Sequence, residues 1–259
     1  MLSLNYSLYD CFADEAFQGH VAAVVDVPQN PELSFASKIA LELCQTITCF
    51  VWTDNHAIWV KSVAKDGSFW STNHGLLAVA KHLLGNEGKA ELHTSGGIYK
   101  VQAKDSEVSI TLSSVHLENA EMPERLGQAF DIMPVSVEDT KSTCVVELRT
   151  VEEVVNIEPD MNRISKLDYD RIVLTAESNT APFHYVCRCF APKLLMNENS
   201  GSLFIQTFLP VFWQKRLGRD NFSFVQFSQR KSIGKVDIKK DDVEVRASVK
   251  QTFKGILKV

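Results

Sequence analysis

Apolar positions recur with two different periods along this chain, and the alternation between them predicts its elements. Tyr6 to Phe12 and His20 to Val27 are rich in β-branched and aromatic residues and read as strands, joined by a loop carrying Gly19. From Pro31 to Leu43, apolar residues fall at Leu33, Phe35, Ile39, Ala40 and Leu43, a helical period with proline near its start. Thr48 to Thr53 and Ala57 to Val63 return to strand character. Next, His74 to Leu84 is apolar at Leu76, Leu77, Ala78, Val79, Ala80, Leu83 and Leu84, with Asn73 as the expected N-cap and Gly85 as the C′ residue. A helix apolar around nearly its whole circumference must be wrapped by sheet on most sides. Strands around Leu92 to Ala103 and Glu107 to Leu112 follow, with Ser95-Gly96-Gly97 as a turn or bulge.

The second half repeats this grammar. Ser113 to Pro134 is mixed and polar, the best candidate for a connection. Val145 to Arg149, Arg171 to Ala176 and His184 to Phe190 read as strands, with Val151 to Ile157 as a short helix. Ser202 to Leu217 reads as a second helix apolar on nearly all sides, which Pro210 should kink or break. Phe222 to Gln229, Gly234 to Ile238 and Val243 to Lys250 close the pattern, and Gly255-Ile256-Leu257 fits a last strand. The expectation is an α+β protein of two similar halves, residues 1–112 and 135–259, linked by 113–134. Each half is a sheet enclosing one helix, and ligands favour the cleft between such halves.

Composition narrows the function classes. With 259 residues, 45% hydrophobic and 23% charged, the chain can bury a large core. A net charge of -5 gives no electrostatic case for nucleic acid or an anionic membrane. Neither a signal-peptide pattern nor a run of about 20 apolar residues occurs, so a cytoplasmic protein without a membrane anchor is expected. The six cysteines (11, 44, 49, 144, 187 and 189) lack paired spacing, which favours reduced thiols over disulfides. Cys187-Arg188-Cys189 puts two thiols on one strand face, but without a CxxC pair or helically spaced histidines no metal is expected.

Several short motifs, taken together and in order, resemble one family. Asp10-Cys11-Phe12-Ala13, Phe17-Gln18-Gly19 and Ala22-Ala23-Val24 resemble the opening D-A-F-T…F-x-G-N-P-A-A-V of the phenazine-biosynthesis PhzF-like family. Asn73-His74-Gly75-Leu76-Leu77-Ala78 is similar to its C-G-H-A-T-L-A helix start, and Thr94-Ser95-Gly96 to its T-x-S-G strand. Arg188-Cys189-Phe190-Ala191-Pro192 resembles R-x-F-A-P, with Trp213 and Leu217-Gly218 following at nearly family spacing. The resemblance spans essentially the whole chain. It implies a diaminopimelate-epimerase-like fold, two pseudo-symmetric domains each with a β-barrel-like sheet around a central helix, commonly homodimeric. It further implies a cofactor-independent isomerase acting on a small carboxylate-bearing metabolite, with acid–base side chains and two facing helix starts holding the substrate's charge.

The chain departs from the family where that chemistry resides. The family's L-S-E-T-A-F glutamate falls at Ile47, which cannot move a proton. Its E-D-P-V-T-G-S-A-H stretch reads Glu198-Asn199-Ser200-Gly201-Ser202-Leu203-Phe204, so Asn199 replaces an aspartate. Gly201-Ser202 fits either an anion-binding turn or a helix cap. The family's G-N-P turn is Gly19-His20-Val21, its R-G-G is Arg230-Lys231-Ser232, and Thr72 stands where thiol-dependent relatives place cysteine. His74 fits a catalytic or ligand-orienting group and equally a buried capping histidine. His20 would lie across the same cleft and form a histidine pair with it. Cys49 reads as a substitute proton carrier or as an inert small hydrophobe. Glu198 is the best surviving carboxylate and equally fits a surface residue before a helix. Asn73, Gly75, Glu198, Asn199, Gly201, Ser202 and His20 are the expected ligand-facing positions, with Ile47 and Phe204 facing the same cleft. The leading expectation is a PhzF-like protein with a degenerate site that binds a small carboxylate or a protein partner. Its rival is an isomerase or epimerase with a rearranged site.

Overall fold

Period-2 segments in this chain pair mostly with their sequence neighbours, and one long C-terminal strand then joins what the neighbours leave open. The computed structural model describes residues 2–71 and 73–259. Its first part runs β1 (Ser3–Cys11), β2 (His20–Asp26), α1 (Leu33–Leu43), β3 (Ile47–Asp54), β4 (Ala57–Ala64) and α2 (Gly75–Leu84). There follow β5 (Glu87–Thr94), β6 (Gly97–Lys104), β7 (Glu107–Ser113), β8 (Glu118–Asn119), α3 (Glu124–Phe130), β9 (Ser136–Asp139) and β10 (Thr143–Glu147). The remainder is α4 (Val151–Asn156), α5 (Met161–Ile164), β11 (Arg171–Glu177), β12 (Tyr185–Ala191), β13 (Met196–Glu198) and α6 (Leu209–Leu217). It ends with β14 (Asn221–Gln226), β15 (Ser232–Lys239) and β16 (Asp242–Lys258).

Strands β1 to β7 lie in order, β16 follows β7, and β16 also pairs with β1, so eight strands close around α2. The closure uses the length of β16. Its residues 242–248 pair with β7, and 249–258 pair with β1 past an irregularity between Leu8 and Tyr9. Helix α2 packs against β1, β2, β3, β5, β6, β7 and β16. Its residues Gly75 to Ala80 are all buried, which a helix achieves only when sheet surrounds it. On the other flank of β16 the sheet continues through β15, β14, β12, β11, β10, β9 and β8. There α6 buries Leu209 to Trp213, and the Trp213 indole donates to Thr175 Oγ1 at 3.1 Å. These two helix-centred units make the fold α+β and pseudo-symmetric. Among the described residues no helix is long and apolar enough to cross a membrane.

Four expectations change. Leu92 to Ala103 is two strands, because the turn at Ser95-Gly96 reverses the chain and β5 begins at Glu87, with side chains too polar to announce it. Ser202 to Leu217 is a 3-10 turn at Ile205–Thr207 followed by α6, with Pro210 in the first turn, where its missing N–H costs nothing. Asn73 does not occupy the N-cap of α2; His74 does, without a side-chain cap. Residues 113–134 hold β8 and α3, whose Leu126, Ala129 and Phe130 are buried.

Leu77, fully buried on α2, is expected to lose about 2–5 kcal/mol of stability on Leu77→Ala, read by urea denaturation. Leu41→Ala, at a side chain 59% exposed on α1, should stay within about 0.5 kcal/mol of the parent.

Candidate functional site

The same local device precedes α2 and the 3-10 turn that leads to α6. Asn73 Oδ1 accepts the Gly75 N–H at 2.8 Å, and Asn199 Oδ1 accepts the Gly201 N–H at 2.9 Å. Each is an Asx turn in an Asn-x-Gly tripeptide, one in each half. Both glycines are dictated by space. A Cβ on Gly75 would sit 2.5 Å from Cys49 Sγ and 3.0 Å from Ile47 Cγ2, and one on Gly201 would sit 2.6 Å from Ser232 Oγ.

The two turns are joined by histidines. His74, at the start of α2, donates from Nε2 to the Val21 carbonyl at 2.9 Å. His20, at the start of β2, donates from Nδ1 to the Gly201 carbonyl at 2.7 Å. Because a carbonyl only accepts, these bonds assign the proton to Nδ1 in His20 and to Nε2 in His74. The rings stack with centroids 3.7 Å apart and planes 11° apart, and both side chains are buried. Burial holds His20 near pKa 4, with the Arg230 cation pushing the same way and the Gly201 bond opposing. Burial, then the proximity of His20, holds His74 well below the ordinary imidazole range. Both rings are therefore neutral at pH 7.

The loop that delivers His20 is clamped from the second half. Arg230 donates from Nε to the Gly19 carbonyl at 3.0 Å and from Nη2 to the Gln18 carbonyl at 2.9 Å and to Asp10 Oδ1 at 2.8 Å. Asp10, itself buried, accepts the Phe17 N–H on its other oxygen at 2.6 Å. Gln226 steadies the second turn, donating to the Asn199 carbonyl at 2.6 Å and accepting the Ser202 N–H at 3.2 Å. Asp10, Arg188, Gln226 and Arg230 are missing from the ligand-facing set that the sequence suggests. Asp10 and Arg230 both stand in family-like segments, yet only the fold brings them together.

The other expected residues lie as follows. Ile47 opens β3, is fully buried, and packs against the Gly75 backbone. Cys49 is also buried, its Sγ 3.4 Å from Ser62 Oγ, and burial pushes its thiol up to about 12. Ser202 Oγ accepts the Ile205 N–H at 3.4 Å, a long capping contact on the 3-10 turn. Glu198 pairs with Arg188 at 2.7 Å, and Arg188 also donates to the Val154, Val155 and Ile157 carbonyls that end α4. Among the described residues no hydrogen bond joins Glu198 to either histidine. Phe204 does not face the cleft; it lies beside β6 and β7 with the Arg171 guanidinium 4.8 Å from its ring centre. Thr72 lies outside the described residues.

Above the histidine stack the cleft remains open, a cavity of about 880 Å³. His20, Gln45 and Lys65 line it from one half, and Arg188, Glu198 and Arg230 from the other.

Two pseudo-symmetric helix-centred units make this a diaminopimelate-epimerase-like fold. The family model described as phenazine biosynthesis-like protein matches residues 9–254, and the chain belongs to this PhzF-like family. An uncharacterized isomerase of Halalkalibacterium halodurans is 21% identical over 249 residues, covering 94% of each chain. Another, of Pseudomonas aeruginosa, is 26% identical and covers 99% of each. The crystal structure of a phenazine biosynthesis protein PhzF family member from Enterococcus faecalis superposes with a TM-score of 0.93 at 22% identity over 100% of both chains.

The buried histidines carry a pH dependence. The unfolded chain protonates imidazole near 6.5 whereas the fold keeps His20 neutral to about 4, so the unfolded state binds more protons between those values. Stability should be full above pH 6.5 and fall as the pH drops toward 4, with roughly 3 kcal/mol from His20 alone. Denaturation midpoints measured from pH 7 to pH 4 check this, and His20→Asn should flatten the slope.

Proposed function

We propose that this PhzF-family protein no longer catalyses proton transfer and serves as a binding protein, its cleft taking a small carboxylate-bearing molecule. The observation that carries this reading is the His20–His74 stack. Two-sided proton transfer at a carbon needs base atoms roughly 6–7 Å apart, since each reacting pair stands about 3–3.5 Å apart. Ring faces 3.7 Å apart leave no room for a carbon between them. Their neighbours do not supply the missing chemistry. Ile47 has no proton to move, Cys49 is held as a thiol, and the Glu198 carboxylate is engaged by Arg188. Ligand binding finds support in the open cavity, where among the described residues Lys65, Arg188 and Arg230 outnumber one acid, Glu198.

One observation favours a second reading, an isomerase with a rearranged site. His20 lines the cavity, and among the described residues no hydrogen bond reaches its Nε2, so a lone pair there has the form of a base. The relatives named as isomerases lend that reading weight by analogy.

Incubation in heavy water with a panel of small amino and unsaturated carboxylic acids separates the two. Proton NMR should show carboxylate binding at the cleft and no deuterium entering at carbon over days. Protein-dependent exchange that disappears in His74→Ala would overturn the proposal.

A further inference from the structure

Three of the chain's four tryptophans surround a second cavity, about 390 Å³, that shares no lining residue with the cleft. It exists because β4 and β5 pair only at Ile58–Leu92 and Trp59–His93. Past that point the segment after β4 folds back over the gap. Val63 bridges to Phe69, and the Trp70 N–H reaches the Ser62 carbonyl at 3.3 Å. One wall is a cross-strand pair, Trp52 and Trp59, whose rings stack 6.3 Å apart at 14°. Phe69 and Trp70 complete an aromatic lining, Phe69 remaining 49% exposed.

The remaining groups define what would fit. Among the described residues no acid lines the cavity, and its one cation, Lys61, donates to the Pro31 carbonyl at 2.6 Å. Aromatic cages recognise cations through the ring faces, but an ammonium already in the wall opposes a second positive charge. A carboxylate would meet three indoles and a phenyl ring with the lysine already committed. Asn30, Ser71 and Ser95 add neutral hydrogen-bonding groups to the lining. The volume lies at the small end of ligand sites. We propose that this cavity is a binding site for a neutral planar aromatic or heteroaromatic molecule of one or two rings, stacked on the indoles and hydrogen-bonded at its edge. An apolar cavity left empty forfeits the dispersion contacts of its lining, and a flat ring restores them.

Indole serves as the probe and the full chain with ¹⁵N-labelled tryptophan as the reporter. The four Nε1–H signals are assigned by single Trp→Phe variants. Trp52, Trp59 and Trp70 should shift saturably, while Trp213, buried in the other helical unit with its Nε1 held by Thr175, should not. Phe69→Ala, at a half-exposed side chain, should keep the dispersed spectrum and weaken indole binding about 2- to 10-fold. Trp59→Ala should weaken it further, and tetramethylammonium should shift nothing. Absence of saturation up to the solubility of indole would overturn the proposal. Equal movement of Trp213, unchanged affinity in Phe69→Ala, or tetramethylammonium binding in place of indole would do the same.

Discussion

Two imidazole rings in van der Waals contact, each tied to a backbone carbonyl, set the geometry where the start of α2 meets the Asn199–Gly201 turn. The His20 bond to Gly201 crosses from one half of the chain to the other, and the His74 bond to Val21 ties the helix start to the strand that carries His20. Charging either ring would place a cation in a buried contact with its neighbour, and for His20 also beside Arg230. Neutrality is therefore a condition of the packing.

Everything around the pair fixes its position. Gly75 and Gly201 allow Ile47, Cys49 and Ser232 to approach the two turns, and the Asn73 and Asn199 carboxamides satisfy the glycine N–H groups that such turns expose. An N–H committed to a side chain within its own turn is less available to an incoming anion, which would otherwise find a favourable site at a helix entry. Arg230 adds a charged hydrogen bond to buried Asp10 and two bonds to the loop before His20. Breaking one partner of such a buried pair is costly because the other charge remains unpaired. On the proposed reading, His20 ties one half to the other.

Much of this was legible in the sequence. The α2 segment announced itself because burial on all sides demands apolar residues on all sides, and the ordered motifs implied the family. The end of the second helical segment at Leu217 was equally plain, but its start was not. A 3-10 turn and an α-helix separated at Phe208 have similar apolar content, and only Pro210 hinted at the break. Strand β5 was half hidden because Glu87, Lys89 and Glu91 alternate on a face without core contacts. The candidate site divides the same way. His20, His74, Ile47 and Asn199 stood out against the motifs, whereas Asp10 and Arg230 are 220 residues apart and meet only through the sheet order. Glu198 and Phe204 could be placed on the chain but not aimed, since aim depends on where Arg188 and Arg171 fall in space.

The tautomeric and charge states of the two rings test the account most directly. Long-range ¹H–¹⁵N correlation spectra of the histidine-labelled protein, recorded from pH 8 to pH 5, report both. A neutral Nδ1–H tautomer is expected for His20 and a neutral Nε2–H tautomer for His74, unchanged across that range. Titration of either ring near pH 6.5, or the opposite tautomer in either, would contradict it.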